Sequence, residues 1–157
     1  MLKKILITLI LFGNVQTFAV SHIYKTSTTQ PFPFALHSLK DALGEQHFAV
    51  VYKSNILRSL EKVKDKIGKT YYNKKHFEQI RSIILCDLAY ANDIINTSPD
   101  MMVFCPIKIV LMKREKEEKT VALLFLPSQI TKDSTSKKLM EAVEKRLKQA
   151  LHDAEFQ

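Results

Sequence analysis

Glycine is scarce in this chain: three in 157 residues, alongside two cysteines and no tryptophan. So few glycines exclude the Gly-rich loops that cradle phosphates, and with them the nucleotide-binding folds. No C-x-x-C serves thiol exchange and no C-x-x-C-H serves covalent haem. No G-x-S-x-G marks a nucleophile elbow, and the adjacent acids Glu117 and Glu118 fall in a polar turn rather than a cleft. His22, His37, His47, His76 and His152 show no i, i+4 pairing and no cysteine at zinc-site spacing. These absences point to a chain with no catalytic residues, no metal site and no cofactor. Repeats, heptads and low-complexity tracts are absent too.

What is present begins with a leader. Lys3 and Lys4 precede the apolar run Ile5–Phe12, far shorter than the roughly 20 residues a spanning helix needs. Thr17 and Ala19 then supply small residues before a plausible cut between Ala19 and Val20. The expectation is a signal peptide over residues 1–19, an exported, periplasmic location and one mature domain over residues 20–157, with no transmembrane span. Cleavage would remove two lysines and lower the net charge from +8 to +6. That excess is spread thinly, as in "KREKEEK" at Lys113–Lys119, and mixed runs of this kind read as solvated faces. A nucleic-acid partner is not expected, because lysine and arginine are not gathered with aromatic stacking partners. Loose attraction to an anionic membrane surface fits the charge better.

The apolar pattern changes period along the chain. "SHIYKTSTTQPFPF" opens as a strand that stops at Pro31, and Leu36, Leu39 and Leu43 follow at helical spacing, with Gly44 as the expected C-terminal cap. His47–Ser54 is β-branched and aromatic enough for a second strand. Ile56, Leu60, Val63 and Ile67 then form one helical stripe closed by Gly68. Lys69–Gln79 reads as a connecting loop, in which Tyr71, Tyr72 and Phe77 cover the core or line a pocket. Ile80–Cys86 is a short buried strand, and Asp87 can cap a helix reaching Asn96 before Ser98-Pro99 stops it. Val103, Cys105, Ile107, Ile109 and Leu111 alternate as one face of a strand. A tight turn leads to Thr120–Leu126, apolar on both faces and so either a central strand or one covered by a partner. A long amphipathic helix opening at Asp133 or Ser134 carries Leu139, Val143, Leu147 and Leu151. The order is β-α-β-α-β-α-β-β-α: an α+β fold with a small mixed, mostly antiparallel sheet and helices packed on one side.

The segment from "IILCDLAYANDIINTSPDMMVFCPIKIVL" into "KTVALLFLP" resembles the hallmark region of the domain of unknown function 302 (DUF302) family. There a strand ends in Cys-Asn, a helix opens with an Ala-Tyr or Tyr-Ala pair, and a proline turn leads into a Leu-Pro-Cys strand and hairpin. Cys86, Tyr90, Ala91, Pro99 and Pro106 stand at matching places, and His47-Phe48-Ala49-Val50 is similar to the family's Gly-Phe-x-Val strand. The resemblance spans Ile23 to Leu151. It implies a small α+β domain, often a dimer, with no catalytic residue to carry over. This sequence departs from the pattern where Asp87-Leu88 replaces Asn-Pro and where Cys105-Pro106 replaces Pro-Cys, so Ile107 occupies the second cysteine position.

The functional expectation is a non-catalytic binding or interaction module. Its apolar Val121–Leu126 stretch would serve a homodimer interface or a cleft for a small apolar ligand, with an envelope protein as another partner. The alternative is a thiol-dependent redox or metal-handling protein using Cys86, which sits just before a helix N-terminus. A Cys86–Cys105 disulfide is permitted by export. The strand-helix-strand connection, if parallel, sets the two cysteines at opposite ends of their strands and favours buried free thiols.

Overall fold

A computed structural model describes residues 22–157; the leader and its proposed cut at Ala19 lie outside the described residues. Five strands, β1 (Ile23–Thr28), β2 (Ala49–Asn55), β3 (Phe77–Cys86), β4 (Ile107–Arg114) and β5 (Thr120–Phe125), form one sheet in the order β1-β5-β4-β3-β2. All four pairings are antiparallel, so the sheet is not mixed. The element order is the one read from the sequence, with β5 central between β1 and β4.

One face of the sheet is the core. Ile83 and Leu85 of β3, Ile109 and Leu111 of β4, and Ala122 and Leu124 of β5 are fully buried at alternate positions. Helix α1 (Phe32–Glu45) adds Ala35, Leu39 and Leu43, and the long helix α5 (Ser134–Asp153) adds Val143, Leu147, Ala150 and Leu151. Helix α4 (Leu88–Thr97) contributes Tyr90 and Ile94 and, like α1, packs against α5. Each large apolar side chain so buried stabilises the fold by about 1.5–3 kcal/mol relative to exposure.

Caps set the ends of these helices. The Asp87 carboxylate accepts from the Tyr90 N–H at 3.1 Å and the Asp133 carboxylate from the Ser136 N–H at 2.7 Å, as the side-chain chemistry requires. At the C-terminus of α1 the expectation fails: Gly44 remains helical, and His47 takes the left-handed turn at φ 66°. The His47 N–H donates to the Gly44 carbonyl and the Phe48 N–H to the Leu43 carbonyl, a Schellman motif with buried Phe48 as its apolar seal. The same motif closes α5, with Glu155 left-handed and Phe156 buried.

Three further elements differ from the sequence pattern. The stripe from Ile56 to Ile67 breaks into α2 (Ile56–Glu61) and α3 (Lys64–Ile67), neither of which buries a residue. Strand β3 begins at Phe77, where a cross-strand Glu78–Lys113 pair at 3.6 Å supports polar residues that hide the alternation. Val103 is not in a strand: Pro99–Phe104 is a 3-10 turn and β4 starts only after Pro106.

Candidate functional site

The end of the sheet where β4 begins and β5 and β1 finish or start holds a cavity of about 450 Å³. Val103 and Phe104 of the 3-10 turn, Val110 of β4, and Leu123 and Phe125 of β5 line it. Met140, Val143 and Leu147 of α5 close the helical side, while Tyr90, Lys108 and Glu144 are its polar groups. An apolar cavity of this size with few polar groups has the make-up of a small-molecule site.

The polar groups are held by the fold rather than left loose. Glu144 is buried and accepts from the Ser128 N–H at 2.8 Å and the Ser128 hydroxyl at 2.6 Å, which pins the turn that follows β5 to α5. Tyr90 is 3 % exposed, and burial, reinforced by negative charge developing at Cys105, Glu144 and Asp87, pushes its phenol up to about 12. It therefore stays a neutral hydroxyl at any physiological pH. Beside it, Asp87 is 4 % exposed; burial alone would raise its carboxyl. The Tyr90 N–H and the Arg146 guanidinium, 2.5 Å away, outweigh that and hold it below the usual carboxylate range. Arg146 also donates to the Gln46 carbonyl at 3.2 Å and lies over the Phe48 ring, so one cation ties α5 to the ends of α1 and β3.

Cys86, the thiol singled out from the sequence, lies half-buried at the end of β3, opposite Ala49 of β2. The antiparallel β3–β4 pairing overturns the expectation that Cys105 sits at the far end of its strand: Leu85 faces Ile107, so both cysteines lie at the same edge. Both are free thiols and half-buried; burial first, then the nearby Cys86, pushes the Cys105 thiol up. Cys105 also packs against the core between two residues of the cavity lining, Phe104 and Pro106.

The comparisons with known proteins bear on the same region. A family model described as "Domain of unknown function DUF302" matches residues 23–154, nearly all of the described chain. The chain belongs to the DUF302 family. A solved DUF302 structure, an uncharacterized conserved protein from Bacillus stearothermophilus, superposes with a TM-score of 0.70 at 18% identity, covering 85% of this chain and 98% of that one. At that identity the likeness shows a shared fold. No curated protein matches.

Within the DUF302 fold, the other residues named from the sequence disperse. Among the described residues no three His, Cys, Asp or Glu side chains converge as a metal group. His37 and His152 stand exposed beside Asp41 and Asp153. Tyr71 is 72% exposed under Lys74 and Phe77 lies under Arg114, while Tyr72 lines a separate polar cavity with Lys69, Lys74 and His76; none of the three reaches the cavity beside β4. Leu123 and Phe125, from the apolar stretch expected to form a cleft, do line it. Glu144 was missed, although its signal was available: it stands four residues after Met140 and three before Leu147, an acid inside the apolar stripe of α5.

Proposed function

We propose that this DUF302 protein is an exported, non-catalytic binding module that takes a small apolar ligand in the cavity at the β4–β5 end of the sheet. The observation that carries this is the lining: aromatic and aliphatic side chains from seven elements around about 450 Å³, with Tyr90, Lys108 and Glu144 as the polar contacts. A neutral phenol and an ammonium group suit a ligand with an apolar body and one accepting end. Export rests on the leader alone, and the mature chain recovered from the envelope should begin at Val20. Anilinonaphthalene sulfonate tests the cavity. It should brighten on binding the native chain, and Phe125→Asp should weaken that binding at least tenfold without loss of the folded far-ultraviolet signal. Native mass spectra without an added small molecule, together with no dye enhancement, would remove the reading.

A homodimer is the second reading. On the face of the sheet away from the core, Ile23 and Phe125 are adjacent across β1 and β5 and both are exposed, beside half-buried Val121 and Leu123. A strict monomer by light scattering at high concentration would exclude it.

A further inference from the structure

We propose that Cys86 and Cys105 form a reversible disulfide that fastens the Pro99–Phe104 wall of the cavity to the junction of β3 and α4. Continuing the Leu85–Ile107 register by one residue brings Cys86 level with Pro106 and next to Cys105. Strands about 4.8 Å apart with a rise of about 3.3 Å per residue set such diagonal neighbours about 6 Å apart at Cα, inside the range a disulfide spans. Cys86 lies near enough to raise the Cys105 thiol, and no third cysteine exists in the chain to compete for either. Between them lie α4 and the 3-10 turn, so closing the bond staples a loop of eighteen intervening residues. Cys105 sits between Phe104 and Pro106, both of which line the cavity, so the staple acts on the wall itself.

The chemistry is thiol–disulfide exchange with a small disulfide such as oxidised glutathione as the oxidant. The Cys86 sulfur, as thiolate, attacks one sulfur of that disulfide, forming a mixed disulfide and releasing the first small thiolate, which takes up the proton Cys86 gave up. Cys105 is the second to react. Its burial keeps it a thiol until its proton is removed; its sulfur then attacks the Cys86 sulfur, and the second small thiol departs with that proton. The protein loses two hydrogens and two electrons, and the oxidant gains both. The inference stands whether or not the cavity takes a ligand.

The test uses the full chain equilibrated in reduced and in oxidised glutathione, trapped by alkylation and weighed intact. Two alkyl groups are expected after reduction and none after oxidation, with a non-reduced peptide map joining the Cys86 and Cys105 peptides. Oxidation should lower the unfolding constant roughly a hundredfold, the effect of closing a loop of this length, and slow amide exchange over residues 99–106. Cys86→Ser and Cys105→Ser should each collect one glutathione instead. Wild-type chain that carries glutathione on both thiols, cross-links between chains, or still takes two alkyl groups after oxidation would overturn the proposal. The wild-type map decides the matter even if a variant fails to fold. Loss of dye binding in both redox states would remove the ligand reading and leave the disulfide standing.

Discussion

His47 holds a backbone conformation that costs an L residue about 1 kcal/mol, because its Cβ crowds the neighbouring carbonyl at φ 66°. The family pattern places Gly where this chain has His47, and Gly44, three residues earlier, does not relieve the cost because it remains in the helix. His47→Gly is therefore expected to raise stability by about 1 kcal/mol, read as a higher urea midpoint with an unchanged slope. Asp87 acts in the opposite sense. It caps α4 and neutralises Arg146 at once, so Asp87→Ala should lower stability by about 2–4 kcal/mol. Its carboxyl lies below the ordinary value in the folded chain, so its contribution is complete above the ordinary carboxylate range and is lost as pH falls through the lowered value. Thermal scans from neutral to acid pH should show Asp87→Asn less stable at neutrality and less sensitive to acid than the parent. Among the five tyrosines, Tyr90 should ionise near 12, and Tyr90→Phe should remove that late step from an ultraviolet titration.

Elements formed where an apolar pattern found a surface to cover. α5 buries Met140, Val143, Leu147 and Leu151 along one stripe and runs unbroken from Ser134 to Asp153. The stripe in α2 and α3 meets no core, Leu60 and Ile67 stay exposed, and the helix breaks near Val63. The contrast sets the cost of substitutions. Leu124→Ala, at a fully buried position of central β5, should lose about 3 kcal/mol by chemical denaturation, whereas Ile95→Ala on the exposed side of α4 should stay within about 0.5 kcal/mol. The edge of the sheet is managed locally as well. Gln157 exchanges two backbone hydrogen bonds with Ser27, at 2.8 and 3.2 Å, and so covers part of the free edge of β1.

At the scale of the whole molecule, one sheet and one core join every long helix, with Phe156 near the C-terminus packed into the same cluster as Phe32. The chain should therefore unfold in a single cooperative step. Far-ultraviolet dichroism and tyrosine fluorescence, the latter sensitive to Tyr90 and undisturbed by tryptophan, are expected to give coincident urea transitions. Two separated transitions would divide the single domain expected over residues 20–157.

Local sequence determined the order of elements and the cap at Asp87, because these depend on neighbours within one or two turns; it left the last helix opening at Asp133 or Ser134 and Thr120–Leu126 as either a central or a partner-covered strand, while the motif residues around Cys86 and Tyr90 carried the resemblance to DUF302. Polar strand residues at Phe77–Gln79 and the apolar but exposed Val103 defeated the same reasoning, since their state depends on a cross-strand partner and on where the core happens to lie. Only the tertiary structure decided that β3 and β4 run antiparallel, and that choice places Cys86 against Cys105 and draws Tyr90, Phe104, Leu123 and Glu144 around one cavity. Strand direction is set by packing the whole sheet against α1, α4 and α5, and no local stretch of sequence carries it.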